Sequence, residues 1–329
     1  KNVLKQKYAS HFEIVVVADQ LKEKTLADLN ELPIDVFEVN FEKSTKAKAL
    51  NLALRKIQKY FDVALILDAD NIMENDALNQ IGKAFSQGHR VIQGRRTANN
   101  LHSDFAFLDG LSEEANNHIY NAGANYLNCS SRLVGSGMAF EYKMFKDLMK
   151  NIDVIGGFDK ALELKTIEKK IHITYLPEAI IYDEKVGKAK TFGNQRSRWL
   201  SAQYQFLLIN LRNIPKAIFT GNMDYLVKLY QFALPPRLLF PLITLVMLGL
   251  SLLLNVNVAI MMSAISFLIV VVAYGLAIPK KFYSLRLLKV FKATSIACIE
   301  TLKALFKLKS ASKEFIHTPH TGTELNNEL

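Results

Sequence analysis

Two carboxylates one residue apart, Asp68 and Asp70 with Ala69 between them, are the residues of this sequence most suggestive of chemistry. They end the aliphatic run Val63-Ala64-Leu65-Ile66-Leu67. Such a run predicts a strand buried on both faces of a parallel sheet. Ligands of open α/β sheets gather at the carboxyl ends of such strands. Paired carboxylates there can hold a hard divalent cation that also touches a phosphate. The structural alternative is a turn or helix N-cap, with Asp70-Asn71 opening the next helix. Gly135-Ser136-Gly137 offers the same choice between close backbone approach to a ligand and a tight turn. Gln195, Arg198 and Trp199, the last the only tryptophan, share one face of a predicted helix.

The elements that must position these residues alternate. Glu13-Ile14-Val15-Val16-Val17 is a predicted strand, with Asp19 beyond its end, and 25–32 a short helix. Val36-Phe37-Glu38-Val39 is the second strand, and a helix from Lys46 carries Leu50, Ala53, Leu54 and Ile57 on its apolar face. After the Asp68 strand come a helix to about residue 87 and the strand Val91-Ile92-Gln93-Gly94. Residues 101–133 read as largely helical, and Gly135 to Phe140 as a turn running into a strand. A helix over 159–170, a strand over 171–175, an extended stretch after Pro177 and a helix over 192–211 follow. This alternation predicts a doubly wound α/β domain.

The formal net charge is +10, the pI about 9.3 and the mean hydropathy +0.10. The apolar excess sits toward the C-terminus. Residues 238–254 and 258–278 are uncharged apolar runs joined by Asn255-Val256-Asn257, which predicts a two-helix transmembrane hairpin. Arg237 before it and Lys280-Lys281 after it place both ends, and the preceding domain, on the cytoplasmic side. Residues 282–309 form a basic amphipathic stretch suited to an anionic inner-leaflet surface. The basic charge fits anionic lipid or a polyphosphate substrate. Nucleic acid is not expected, because no compact basic motif interleaved with aromatics occurs. Cys129 and Cys298 fall in different regions, so no disulfide is expected. His317 and His320 lie in a polar tail and make a weak metal motif.

In order, the chain carries Val-Val-Val-Ala-Asp ending at Asp19, Lys-Ala-Lys-Ala-Leu-Asn from Lys46, Asp-Ala-Asp from Asp68, Gly-Ser-Gly-Met from Gly135 and Gln-Arg-Ser-Arg-Trp from Gln195. This order resembles the family 2 glycosyltransferases, of the membrane-bound inverting type related to cellulose and hyaluronan synthases, over about residues 5–210. The resemblance implies a GT-A type doubly wound mixed sheet. It implies inverting transfer of a sugar from a nucleotide diphosphate sugar to a glycan or lipid-linked acceptor. It also implies Mg²⁺ or Mn²⁺ on Asp70 and Asp68, with Asp68 reaching the ribose or the metal. Asp19 corresponds to the acid that contacts the nucleotide, and Lys46 and Lys48 to the basic stretch beside it. A cation near a helix start can meet a phosphate together with backbone N–H groups. Gly135, Ser136 and Gly137 correspond to the acceptor side of the pocket. Gln195, Arg198 and Trp199 match the Gln-x-x-Arg-Trp motif, with Arg198 on the diphosphate and Trp199 stacked on an acceptor sugar.

The expected organisation is a cytoplasmic catalytic domain over 1–212, an interfacial connection over 213–237, a transmembrane hairpin over 238–278, and a basic interfacial helix and tail over 279–329. The location expected is the inner membrane, as a multi-pass protein with room for membrane partner chains. Two departures from the family pattern stand out. The family's first strand is not found ahead of Glu13, so the domain is expected to be incomplete at its N-terminus. After Gly156-Gly157-Phe158, Lys160 and Ala161 stand where the resemblance puts Glu and Asp, and Ala161 cannot take a proton. Inversion needs a carboxylate within reach of the acceptor hydroxyl. Asp159 and Glu163 are the substitutes on either side, each about 200° round the helix from residue 161. The alternative function is a catalytically impaired nucleotide-sugar-binding membrane protein.

Overall fold

The computed structural model describes residues 1–306, without the side chains of residues 288, 289, 291 and 292. The polar tail with His317 and His320, and the end of the basic stretch from residue 307, lie outside the described residues. In chain order the elements are β1 (Val15–Asp19), α1 (Glu23–Asn30), β2 (Asp35–Val39), α2 (Lys46–Lys56), β3 (Val63–Ile66), β4 (Ile72–Met73), α3 (Ala77–Ser86) and β5 (Val91–Ala98). They continue with α4 (Asp104–Asn116), α5 (Gly123–Tyr126), β6 (Met138–Glu141), α6 (Tyr142–Met149), α7 (Phe158–Glu168), β7 (Thr174–Asp183) and α8 (Ala189–Asn210). Last come α9 (Ile214–Phe219), α10 (Met223–Ala233), α11 (Phe240–Leu253), α12 (Asn257–Ala277), α13 (Arg286–Lys289) and α14 (Phe291–Phe306). Two compact units divide the chain: residues 1–97, 120–183 and 202–232 form the first, and 98–119, 184–201 and 233 onward the second.

The first unit is mixed α/β, as expected. β1 and β2 pair in parallel, from Val15 opposite Asp35 to Asp19 opposite Val39. The remaining strands form a separate sheet in the order β3-β6-β5-β7-β4. Parallel alternation stops at β2: β3 and β5 both run antiparallel to β6, and β4 antiparallel to β7. β3 is therefore an edge strand of its sheet among the described residues, and only Ile66 of its four residues is buried. Both faces are nonetheless covered, Ala64 and Ile66 packing with one core cluster and Val63 and Leu65 with another; the difference from expectation is that the partner strand runs antiparallel. The core around it is aliphatic and aromatic. α6 and α7 bury Phe145, Leu148, Leu162, Leu164 and Ile167 with Met138 and Phe140 of β6, and the Phe140 and Phe145 rings stack at 5.0 Å.

Three local expectations are corrected. Asp70-Asn71 does not open a helix: the short strand β4 intervenes, pairing with Ile181 and Tyr182, before α3 begins. The helical stretch expected to residue 133 ends at Tyr126. Asn125 stops it by donating its amide to Cys129 O at 2.9 Å and Ile173 O at 3.0 Å, and Asn128 turns left-handed at φ +56°. Pro177 lies inside one continuous β7 and not in a loop ahead of a second extended stretch.

In the second unit, Phe107 and Leu108 of α4 and Phe192 of α8 pack with Phe282, Ala293 and Ala297. α11 and α12 lie side by side, joined through Asn255 at φ +52°, with Ser251 Oγ and Ser263 Oγ 2.9 Å apart. Among the described residues, α12 is the one continuous helix long and apolar enough to cross a membrane. At 14 residues α11 is short for a span, so the expected hairpin stands as a helix pair. α14 buries the small residues Ala293, Ala297, Thr301 and Ala304, and leaves Ile299, Leu302 and Phe306 exposed.

Candidate active site

Lys46 opens α2, behind a cap in which Thr45 accepts from Lys48 N–H at 3.2 Å. That cap fixes the direction in which the first turn presents its lysine. The Lys46 ammonium pairs with Asp68 Oδ1 and donates to the Gly135 carbonyl at 2.9 Å. It also sits 5.2 Å from the centre of the Phe158 ring. One side chain thus joins three of the motifs read from the sequence, from α2, the end of β3 and the glycine loop. It draws the start of α7, with Asp159, to the same end of the unit.

The Asp68–Asp70 turn is closed by Asn71. Asn71 Oδ1 accepts from Asp68 N–H at 3.0 Å, and its amide lies 3.2 Å from Asp183 Oδ1 and 3.5 Å from Asp70 Oδ1. Asp183 ends β7 and lies 3.8 Å from Arg96 Nε. The Asp70 and Asp183 carboxylates are thereby tied to one amide, with the Asp68 backbone bonded to the same side chain. All their donors are hard oxygens, the chemistry a divalent cation shared with phosphate oxygens requires. The described residues contain no cage of three or more His, Cys, Asp or Glu side chains. An ion bound through a diphosphate needs only one or two protein carboxylates, so Asp68 and Asp70 fit such an ion.

The glycine loop is built for a close approach. Gly135 has φ +88° and Gly137 φ +63°, both in the left-handed region. A Cβ on Gly137 would meet Ile181 Cδ1 at 3.0 Å. Gly137 N–H donates to Ile66 O at 2.8 Å, which seats the loop against the end of β3. Ser136 is fully buried, and its hydroxyl has no hydrogen-bond partner among the described residues. Asp19, the last residue of β1, accepts from Ser44, while its Oδ1 is buried without a partner among the described residues. Acceptors left in that state suit a ligand's N–H or hydroxyl. Lys48 points elsewhere: its ammonium lies 3.4 Å from Lys43 O, and it lines a cleft of about 190 Å³ with Arg55, Lys150 and Asp153.

In the base segment, Ala161 is buried in the main core. Glu163 is fully buried, accepting from Leu133 N–H at 3.1 Å and forming an ion pair with Lys228 at 2.8 Å. Burial pushes the Lys228 ammonium below its ordinary pKa, against the pull of Glu163 beside it. Asp159 is half-buried in the first turn of α7, with Lys160 Nζ at 3.6 Å.

Gln195, Arg198 and Trp199 lie on α8 in the second unit. Gln195 Oε1 is buried without a partner among the described residues, and burial lowers the Arg198 pKa. Trp199 is exposed, with the Arg196 guanidinium 4.8 Å from the centre of its ring.

Sequence reasoning missed Gln93, Asn71, Arg96 and Asp183. Gln93 is fully buried and holds the glycine loop from below, donating to Ser136 O at 3.0 Å and accepting from Val134 N–H at 3.0 Å. Arg96 donates to Val134 O at 3.1 Å. The available signal was a polar residue inside or ending an apolar strand, as Gln93 and Asp183 are.

Residues 1–202 match the family model described as "Glycosyltransferase like family 2". No curated protein sequence matches the chain significantly. Among solved structures, the chain is similar to the mannosyltransferase PcManGT from Pyrobaculum calidifontis, in complex with GDP-Man and Mn²⁺. That likeness has a TM-score of 0.50 at 16% identity and covers 94% of this chain and 81% of that one. S. aureus TarS 1–349 in complex with UDP-GlcNAc matches at TM-score 0.46 and 15% identity, over 94% and 85%. The first of these likenesses agrees with a GT-A fold. With the matched family covering well over half of the sequence, the chain belongs to glycosyltransferase-like family 2 and is a glycosyltransferase.

Proposed function

We propose that this enzyme transfers a sugar from a nucleotide diphosphate sugar to a glycan or lipid-linked acceptor at a membrane, with inversion at the anomeric carbon. The convergence of Lys46, Asp68 and the Gly135 carbonyl at the end of β3 carries this reading. The ammonium is held where it can exchange a carboxylate for a diphosphate oxygen. A Mg²⁺ or Mn²⁺ ion held by Asp70 and Asp68 would supply Lewis-acid stabilisation of the leaving diphosphate. The mannosyltransferase likeness, which binds GDP-Man and Mn²⁺, supports a nucleotide-sugar partner. Asp19 and Ser136 offer buried acceptors to the ligand. By resemblance to the Gln-x-x-Arg-Trp motif, α8 offers Arg198 as a planar donor fork for phosphate oxygens, Gln195 as a further nucleotide-sugar contact and Trp199 as a stacking face for an acceptor sugar. Lys48 acts as a longer-range cation for the nucleotide.

Of the two substitute bases, we assign Asp159. Glu163 is committed to Lys228 and carries no exposed oxygen, so it belongs to the core. The membrane reading rests on α12, where Met261, Met262, Ile265, Leu268, Ile269, Val272 and Leu276 are all exposed. An apolar surface of that extent is a membrane or partner surface. With the turn from Arg237 lengthening α11 to the stretch Arg237–Leu253, the pair crosses as a hairpin, and Arg237 and Lys280 at its ends place both on the cytoplasmic side of the inner membrane. Exposed Ile299, Leu302 and Phe306 with Lys303 on α14 suit anionic lipid.

Ala161 in the core and Glu163 in its ion pair favour a second reading, nucleotide-sugar binding without turnover. Membranes carrying the full chain, incubated with UDP- and GDP-sugars and Mg²⁺ or Mn²⁺, decide between them. Metal-dependent release of nucleoside diphosphate, lost on Asp70→Ala and reduced on Asp159→Asn, is expected. Tight donor binding without release selects the second reading. Release indifferent to Asp70→Ala sinks the metal assignment.

A further inference from the structure

Within the second unit, α4 presents a buried acidic row. Asp109, Glu113 and Glu114 are each at most 6% exposed. Each meets a different cation: Arg196 at Asp109, Lys185 at Glu113 and Lys281 at Glu114. The first pair stands apart because of what Arg196 does next. On α8, Phe192, Arg196 and Trp199 fall at i, i+4 and i+7, one face of the helix. The guanidinium carbon lies 4.7 Å from the Phe192 ring centre and 4.8 Å from that of Trp199. Phe192 is itself fixed in the core, 5.9 Å from the Phe105 ring.

We infer that Asp109 and Arg196 are positioning residues for the acceptor platform. Asp109 locks the guanidinium fork, and the guanidinium then covers one face of Trp199 and sets its plane. The other face is left as the stacking surface, so Trp199 receives one pyranose ring on one side and is not sandwiched between two. A planar cation performs this task where an ammonium cannot, since only a guanidinium stacks flat while its N–H groups still reach a carboxylate. The sugar-stacking role rests on the function proposed above. The geometry of Trp199 does not, and it can be measured independently.

Because Trp199 is the only tryptophan, its fluorescence in the purified full chain reports this contact directly. Asp109→Asn and Arg196→Met are expected to raise acrylamide quenching roughly two- to fivefold, the population shift that losing a half-exposed cation–π contact produces. Asp109→Glu should restore quenching close to the wild type, and Arg196→Lys only in part. Glu113→Gln, on the same helix, controls for general loosening and should leave quenching unchanged. Quenching unaltered in both Asp109→Asn and Arg196→Met overturns the proposal, as does an equal rise in Glu113→Gln. With a donor that supports turnover, Arg196→Met should raise the KM for the glycan chains of the same membranes more than it lowers kcat. An equal fall in kcat with KM unmoved overturns the acceptor role. If no donor turns over, the function proposed above fails, while the quenching series still decides the positioning.

Discussion

Replacing Lys46 by Ala removes two bonds at once, to Asp68 and to the Gly135 carbonyl. Both Lys46 and Asp68 are about a third exposed, 34% and 39%, so water screens their attraction. The folding cost of Lys46→Ala should therefore stay within about 1 kcal/mol. Its cost to catalysis should be far larger, about 10²-fold in nucleoside diphosphate release, because the ammonium is a preorganised donor to developing negative charge. Steady-state assay beside thermal unfolding separates the two effects. Glu163 behaves in the opposite way. Its pair with Lys228 is 1% exposed on each side. Glu163→Gln leaves a buried ammonium uncompensated and should cost about 3–5 kcal/mol of stability. The double change Glu163→Leu with Lys228→Met should recover most of that loss, and denaturant midpoints in detergent compare the two. A single and a double variant of equal stability would show that the ion pair is not what holds this part of the core.

At the scale of elements, the glycine loop and the start of α7 are set by backbone that only glycine adopts freely. Gly137 has φ +63° and Gly157, just ahead of α7, φ +70°. A Cβ at 157 would meet Ala202 Cβ at 2.8 Å. Gly137→Ala and Gly157→Ala should each cost at least about 1–2 kcal/mol, the penalty of a left-handed L-residue. Gly137→Ala should also weaken donor binding, because moving the loop moves the Gly135 carbonyl away from Lys46. Thermal unfolding and donor titration check both statements. Gly88 makes the contrast: its φ is +93°, but nothing lies within 4 Å of where a methyl would stand, so backbone strain alone would act there.

At the scale of the whole molecule, α12 gives the most direct prediction. Leu268 lies near the middle of the helix and is 61% exposed. If that surface faces lipid, Leu268→Lys should raise the cost of insertion by about 3–4 kcal/mol, the loss of the favourable Leu added to the cost of Lys. The altered chain should then leave membranes on alkaline carbonate extraction while the unaltered chain stays. Retention of both chains, or extraction of both, argues against α12 as a span.

The order of motifs by itself determined a good deal. It placed the mixed α/β class, the carboxylates at a strand end and the lysine at a helix start, because each depends on local periodicity or on a short spacing. The positions of α2, α7 and α12 follow from the same local rules. Strand direction was beyond it: β3 reads as an aliphatic run whether its partner runs parallel or antiparallel, and only β6 decides. The partners of buried charges were equally out of reach. Glu163 and Lys228 are far apart in sequence, and nothing in the helix around Glu163 says that its carboxylate faces inward to an ammonium. The same holds for Asp109 and Arg196, and for Lys46 at Gly135. Spacing along a chain fixes which residues share an element's face. Which charges meet across elements is chosen by packing, where a buried ion tolerates only a partner brought to it by the fold.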